Sequence, residues 1–249
     1  MIEAKNVSKS FGDHLVLDSV SVKFETGKCN LIIGQSGSGK TVLMKCLVGL
    51  YEIDRGKVMY DDRVFSRMSF DEMKLIRQEL GMLFQGGALF DSMTVEENIV
   101  FPLSMFTEQL PAEKRDRANV CLSRVNLENV NKLYPAELSG GMKKRVAIAR
   151  AIAMNPKYLF CDEPNSGLDP LTANVIDNLI REITREFNMT TVINTHDMNS
   201  VIEIGDKISY IYKGKLWWEG DSESILTSDN IELNEFVFAT ELTRKLKHK

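Results

Sequence analysis

Alternation of apolar and polar residues dominates the start of the chain. Val20, Val22 and Phe24 occupy every second position, and residues 30–33 form a short, mostly apolar run. A period of two is typical of half-buried strands, and a short apolar run that leads into a glycine-rich turn is typical of a fully buried one. The pattern therefore predicts antiparallel strands that end in a buried strand at 30–33, and a further hairpin at 57–65.

Helical and strand patterns alternate through much of the rest of the chain. Helices are predicted at 40–49, 71–79, 140–154, 171–187 and 198–204, and strands at 80–84, 158–161, 190–194, 207–212 and 215–219. Such alternation is typical of a mainly parallel sheet with helices on both faces. The fold class is therefore α/β, with an N-terminal antiparallel β subdomain.

A helical segment interrupts this alternation at about residues 94–140. A charged helix is predicted at 112–124, and three prolines are expected to divide the segment, namely Pro102, Pro111 and Pro135. We interpret the segment as an inserted α-helical subdomain. It lies within a domain that covers residues 1–220, and a helical tail follows at 221–249.

Composition excludes some classes of protein. The 249 residues carry a net charge of −4, which argues against a large nucleic-acid-binding surface. No apolar run approaches the ~18 residues that a membrane span needs, and the N-terminus lacks the pattern of a secretory signal. The four cysteines are expected to be buried in a reducing cytoplasm. Any membrane role must therefore come through partner subunits.

A glycine-rich loop lies between the strand at 30–33 and the helix at 40–49, and it fits the pattern G-x-x-x-x-G-K-[ST]. Its backbone N–H groups and the helix N-terminus are suited to phosphates, the lysine to the β and γ oxygens, and the threonine hydroxyl to Mg²⁺. The loop therefore predicts a P-loop NTPase core that binds ATP. Its residues are Gly34, Gln35, Ser36, Gly37, Ser38, Gly39, Lys40 and Thr41.

Two carboxylates follow the apolar strand at 158–161. Ligands of open α/β sheets bind at the carboxyl ends of the strands. We assign Asp162 to a metal contact, and Glu163 to the general base that activates water.

Residues 138–142, Leu-Ser-Gly-Gly-Met, together with the two motifs above, resemble the signature of ABC ATPases. The rest of that family's motif set is present in order over about residues 2–220. Gln85 matches the Q-loop, residues 166–169 match the D-loop, His196 matches the switch histidine, and Phe11 falls where the family places a ring against adenine.

The resemblance implies a homodimer in which two cassettes meet head to tail. Ser139, Gly140 and Gly141 of one chain would complete the ATP site at Lys40 of the other, with Asp169 at the seam. Gln85 would sense Mg²⁺ and the γ-phosphate for a transmembrane permease, and His196 would orient Glu163 or the water.

The signature departs from the usual pattern at Met142, where the family commonly has glutamine, and we expect the anion site to survive this change. Lys143, Lys144 and Arg145 follow. We interpret them as a solvated helix face, with a contribution to the phosphate potential as the alternative.

Residues 86–103 look like the ATPases of Mla/Mce-type systems, which move phospholipid between bacterial membranes. The resemblance implies a peripheral protein on the cytoplasmic face of the inner membrane. Its partners would be a permease, an Mce-domain substrate-binding protein and a small accessory subunit. The tail at 230–249, with Phe236, Phe238 and Leu242, is expected to strap a neighbouring subunit or to pack on its own domain.

Alternatives remain at this point. Within transport, the chain could serve amino-acid import or lipoprotein release. An ABC ATPase of DNA repair or translation would carry a coiled-coil insert or a second cassette, and a P-loop kinase or GTPase would lack the signature and His196.

Overall fold

The computed structural model describes residues 1–239. The strands are β1 (Ile2–Phe11), β2 (His14–Phe24), β3 (Cys29–Ile33), β4 (Arg55–Tyr60), β5 (Arg63–Val64), β6 (Leu80–Leu83), β7 (Tyr158–Asp162), β8 (Thr190–Asn194), β9 (Lys207–Tyr212) and β10 (Lys215–Gly220). The helices are α1 (Lys40–Leu47), α2 (Phe70–Gln78), α3 (Val95–Phe106), α4 (Pro111–Arg124), α5 (Gly140–Ala151), α6 (Pro170–Glu186), α7 (Met198–Ile204), α8 (Ser224–Thr227) and α9 (Ile231–Val237).

Two sheets organise these elements. The antiparallel sheet has the strand order β2-β1-β4-β5, and the larger sheet has the order β10-β9-β3-β8-β7-β6. Strands β9, β3, β8, β7 and β6 run parallel, and β10 pairs antiparallel with β9. The predicted mainly parallel sheet and the antiparallel β subdomain are confirmed.

Apolar side chains fill both faces of the larger sheet, because alternate residues of its strands point to opposite faces. Leu31 and Ile33 belong to a core cluster with residues of α3, α5, α6 and α7. Ile32 belongs to a second cluster with α1 and the antiparallel sheet. All residues of β3 and of β8 are buried, as in a sheet covered on both sides.

Helices α3 and α4 occupy the predicted insertion. Pro111 begins α4, but the expectation that Pro102 divides the segment is wrong, because α3 continues through it. Val95, Ile99 and Leu103 form a buried stripe at four-residue spacing on both sides of Pro102. This packing compensates for the backbone hydrogen bond that a proline inside a helix removes.

The described part of the tail packs on its own domain. Leu233 and Val237 of α9 are buried, and the ring of Phe236 stacks on that of Tyr210 with 5.5 Å between centroids. Leu242 and the basic end lie outside the described residues. None of the helices in residues 1–239 combines the length and the apolarity that a membrane crossing requires.

Candidate functional site

The glycine-rich loop follows β3 and leads into α1, as predicted. Gly34 has φ 150° and a Cβ there would lie 2.3 Å from the Ile211 carbonyl oxygen; Gly39, just before α1, has φ 107°. Only glycine fits such positions without strain. The Ser38 hydroxyl is buried without a hydrogen-bond partner in the described chain. A curled loop with an unpaired buried hydroxyl fits a bound phosphate.

Lys40 is folded over this loop. Its Nζ donates to the carbonyl oxygens of Gly34 at 2.7 Å and Gln35 at 3.0 Å, and the residue is only 6% exposed. Burial lowers the pKa of Lys40, and the nearby carboxylates of Glu163 and Asp162 oppose that shift. The ammonium therefore lies ready for an anion, to which it can turn from two neutral carbonyls.

Thr41 and Asp162 are joined through a residue that the sequence did not single out. The Asn194 amide donates to Thr41 Oγ1 at 3.2 Å and to Asp162 Oδ1 at 2.6 Å, and Asn194 Oδ1 is buried without a partner. Within residues 1–239, no cluster of three or more His, Cys, Asp or Glu side chains could hold a metal ion. A hydroxyl, one carboxylate and the Gln85 amide oxygen fit Mg²⁺, provided that phosphates and water complete the oxygen ligands.

Glu163 and His196 lie together where β7 and β8 end. His196 Nδ1 is 2.9 Å from Glu163 Oε1. Glu163 has φ 49°, a conformation uncommon for residues other than glycine, and its N–H donates to the Asn194 carbonyl oxygen at 2.8 Å. The strained turn points a carboxylate into the cleft, which suits a base that takes a proton from water.

Gln85 follows β6 and is exposed at the cleft. Its amide Nε2 lies 3.4 Å from Ser166 Oγ in the predicted D-loop. The next residues of this loop are held by α5, since Arg150 donates to the carbonyl oxygens of Gly87 at 2.7 Å and Ala88 at 2.8 Å. No local pattern indicates the Arg150 contacts, which join residues 62 and 63 positions apart.

The interpretation of residues 143–145 as a solvated helix face is wrong for Lys144. This side chain is 5% exposed, and its ammonium donates to the carbonyl oxygen of Gln85 and, at 3.4 Å, to that of Glu163. The face of α5 that carries Lys144 packs against the sheet, so the charge points inward.

A cleft of about 1330 Å³ brings most of the predicted residues together. Its lining includes Gly34, Gln35, Ser36, Gly37, Gly39, Lys40, Thr41, Gln85, Glu163 and His196. His14 and Val16 also line it. The other predicted residues are not part of this lining, namely Phe11, Ser38, Ser139, Gly140, Gly141, Asp162 and Asp169.

The signature residues and Asp169 instead begin two neighbouring helices. Ser139 Oγ accepts a hydrogen bond from Met142 N at 3.2 Å at the start of α5. Asp169 caps α6, where it accepts hydrogen bonds from the Leu171 and Thr172 backbone. A Cβ at Gly141 would lie 2.6 Å from Thr172 Cγ2, so glycine is needed where the two helix starts meet. The helix predicted at 140–154 is therefore confirmed at its start, with Ser139 as the N-cap.

Phe11 ends β1 beside the cleft. Its ring is 44% exposed and meets the edge of Tyr51 at 5.2 Å between centroids. The expected stacking on adenine stays a prediction.

Comparison with known proteins places this geometry in a family. A family model described as "ABC transporter" matches residues 17–166, which is more than half of the chain. The matched range begins in β2 and ends in the D-loop, so it contains the phosphate loop, Gln85, the signature and the Asp162–Glu163 pair.

Relatives of similar identity serve different transporters. The chain is 38% identical to the methionine import ATP-binding protein MetN of Clostridium tetani over 97% of this chain and 76% of MetN. It is 36% identical to the probable ribonucleotide transport ATP-binding protein mkl of Mycobacterium leprae, over 95% of this chain and 68% of mkl. It is 35% identical to MlaF, the intermembrane phospholipid transport system ATP-binding protein of Haemophilus influenzae, over 95% of this chain and 90% of MlaF.

The solved structures of the ABC transporter cassette MJ0796 share the fold. Its dimeric form superimposes with a TM-score of 0.82 at 33% identity, over 89% of this chain and 99% of that one. A second structure holds ADP and Pi in a post-hydrolysis state, with a TM-score of 0.81. The chain belongs to the ABC transporter family, and it is an ATP-hydrolysing cassette of that family.

Proposed function

We propose that this cassette pairs with a second copy of itself and hydrolyses ATP to drive a permease that moves lipid between bacterial membranes. The observation that carries the hydrolytic part is the Glu163–His196 pair, 2.9 Å apart at the mouth of the phosphate-loop cleft. A carboxylate and an imidazole at this place can act on a water that attacks the γ-phosphate.

The cleft residues have separate roles in binding ATP and in hydrolysing it. The loop at 34–41 holds the phosphates, and Lys40 leaves its two carbonyl partners to bind the β and γ oxygens. Glu163 accepts a proton from the attacking water, whose oxygen bonds to the γ-phosphorus while the bond to the ADP oxygen breaks. His196 orients Glu163 and contacts the γ-phosphate, and the products are ADP and inorganic phosphate.

Mg²⁺ is the metal that we assign to Thr41, Asp162 and Gln85. The ion would supply charge neutralisation at the β and γ oxygens. Asn194 supports this assignment, because its amide holds the Thr41 hydroxyl and the Asp162 carboxylate close together before any ion binds.

Pairing of two copies is supported by the position of the signature. Ser139, Gly140 and Gly141 lie outside the cleft of their own chain, and they open α5, whose N-terminus is a suitable anion site. A second copy, placed head to tail, would bring this helix start to the γ-phosphate. The solved structure of MJ0796 is dimeric, which supports the pairing of two copies.

Lipid as the transported molecule is supported by two observations. The run at 86–103 resembles Mla/Mce-type ATPases, and the phospholipid transport ATP-binding protein MlaF is among the relatives, at 35% identity over 95% of this chain. Import of an amino acid is the second candidate, because MetN shows the higher identity.

Partners of this assembly would be a transmembrane permease, an Mce-domain protein and a small accessory subunit, with the cassette on the cytoplasmic face of the inner membrane. Exposed apolar side chains around the Q-loop and α3 support a docking surface for the permease, namely Phe84, Phe90 and Met105.

Substitution of the base tests the hydrolytic part. Glu163→Gln should bind ATP, lose about a hundredfold or more in kcat, and accumulate as an ATP-bound dimer in size exclusion. Glu182→Gln, at an exposed position of α6, is the matched control and should behave as wild type. Wild-type turnover by Glu163→Gln would remove Glu163 from its role.

Purification of the native complex tests the lipid part. Mass spectrometry should find an Mce-domain subunit and phospholipid with the cassette. A periplasmic amino-acid-binding protein in their place would favour the import candidate.

A further inference from the structure

Lys144 lies where three parts of the cassette meet. It belongs to α5, which begins at the signature, and its ammonium contacts the backbone carbonyls of Gln85 and Glu163. Gln85 follows β6 and Glu163 follows β7, two neighbouring strands of the larger sheet. One side chain therefore touches the backbone of both residues that we assign to the γ-phosphate and the attacking water.

Burying this charge carries an energetic cost. The residue is 5% exposed, and burial lowers the pKa of its ammonium, while Cys161, Glu163 and Asp162 partly offset that shift. Both acceptors are neutral carbonyls. Lysine is almost never fully buried without a partner for its charge. An apolar side chain of similar length would carry a smaller desolvation penalty at this position.

The Glu163 backbone needs support from outside the turn. Its φ of 49° is an uncommon conformation that persists only when surrounding contacts fix it. Its N–H is held by Asn194, while its carbonyl oxygen accepts from Ser166 N at 3.1 Å and from Lys144. Lys144 is the contact that comes from the signature helix.

We propose that Lys144 is a positioning residue, which holds the turn at Glu163 and the Q-loop at Gln85 in register with the signature helix. The inference rests on the proposed roles of these two residues. The N-terminus of α5 would bind the ATP that the partner copy holds. A shift of α5 on this binding would move the Lys144 ammonium and, through it, the general base Glu163 of the same chain. The two ATP sites are thereby coupled.

Arg150 makes the test practicable. Its guanidinium holds Gly87 and Ala88 from the same helix, so the Q-loop keeps an anchor when Lys144 is replaced. Lys144→Met should therefore fold, and its thermal unfolding should confirm this.

The experiment measures ATPase kinetics and ATP-driven dimerisation of Lys144→Met, Lys144→Arg and Arg145→Met. Arg145 is the matched control, because it donates from the same helix to two backbone carbonyls, those of Val125 and Asn126, away from the cleft. Lys144→Met should lower kcat about tenfold or more, change KM less than about threefold and still form the ATP-bound dimer. Lys144→Arg should recover most of kcat, and Arg145→Met should stay near wild type.

Other outcomes overturn the inference. Wild-type kcat in Lys144→Met would show that the contacts are dispensable, and equal losses in Arg145→Met would show a general effect of the helix. Loss of ATP binding and of the dimer along with kcat would show that Lys144 serves phosphate or the fold. Glu163→Gln is measured in parallel, to separate the proposed function from the role of Lys144. If Glu163→Gln loses ATP hydrolysis while Lys144→Met does not, only the inference about Lys144 fails.

Discussion

The larger sheet has a carboxyl edge, where its parallel strands end, and an amino edge, where they begin. The two differ in how completely their polar groups are hydrogen-bonded. At the carboxyl edge, where the cleft lies, Ser38 Oγ and Asn194 Oδ1 are buried without partners in the described chain, and Glu163 holds a strained turn. At the amino edge, a smaller cavity of about 340 Å³ lies beside Tyr158, Phe187 and Thr190.

Polar groups at the amino edge are bound to one another. The Tyr158 hydroxyl donates to Asp61 Oδ2 at 2.6 Å, and the Arg63 guanidinium makes two hydrogen bonds to the Glu79 carboxylate, at 2.7 and 3.0 Å. The hydroxyls of Thr26 and Thr190 are 3.0 Å apart. Each of these side chains has a hydrogen-bond partner within the described chain.

A cavity alone therefore does not locate the site. Unpaired buried groups cost stability, and proteins keep them where a ligand will satisfy them. The carboxyl edge shows this cost and the amino edge does not, so substitutions at the two edges should have different consequences.

Loss of Lys40 should have the largest effect. Lys40→Ala removes the ammonium that would bind the β and γ oxygens, and we expect kcat/KM to fall by about a thousandfold. The unfolding free energy should change little, because the ammonium is partly unsatisfied without phosphate. Steady-state ATPase assays and ATP titrations measure the effect.

Substantial turnover by Lys40→Ala would contradict the assignment of the cleft. Lys74→Ala, at an exposed position of α2, is the control and should keep wild-type kinetics.

The fold could be predicted because its signals are local. The mostly apolar run of β3, the β-branched run at 190–193 in β8 and the glycines at 34 and 39 each favour their own local structure. The error at Pro102 arose because a local rule gave way to tertiary packing by Val95, Ile99 and Leu103.

Site residues that belong to a motif were predicted, and site residues whose role depends on a long-range contact were missed. Glu163 and His196 stand 33 positions apart, yet both belong to a recognised motif set. Asn194 and Lys144 belong to no motif that we used, and their roles depend on which backbone the fold brings to them. A lysine in a basic run predicts a solvated face, because nothing local reveals the burial of one member.

A substitution at the amino edge should change stability alone. Tyr158→Phe removes the hydrogen bond to Asp61, and we expect the free energy of unfolding to fall by about 2 kcal/mol, because the acceptor is charged and the ring is buried. The kcat should stay at the wild-type value. Urea denaturation and ATPase assays test both parts, with Tyr134→Phe, whose side chain is more exposed, as the control. A clear fall in kcat would show that the two edges are coupled.

The smallest expected effect is a gain in stability near the carboxyl edge. Asp177 of α6 is 2% exposed, and burial raises its pKa from the usual 3.8 to about 6, although the polar side chains of Ser200 and Asn165 oppose the shift. The folded state therefore binds this proton more tightly than the unfolded state. Stability from this group is full below about pH 4, falls as the pH rises towards 6, and is constant above that.

Asp177→Asn should remove this penalty. At pH 7.5 the variant should be about 1 kcal/mol more stable than wild type, less than the full shift implies, because the new amide must itself be desolvated. The advantage should shrink as the pH falls from 6 to 4, since the wild-type carboxyl is then neutral. Urea denaturation at several pH values measures it, with the exposed Asp116→Asn as control. A variant that is less stable at pH 7.5 would show that the ionised carboxylate is needed to hold Asn165 and Ser200 beneath the D-loop.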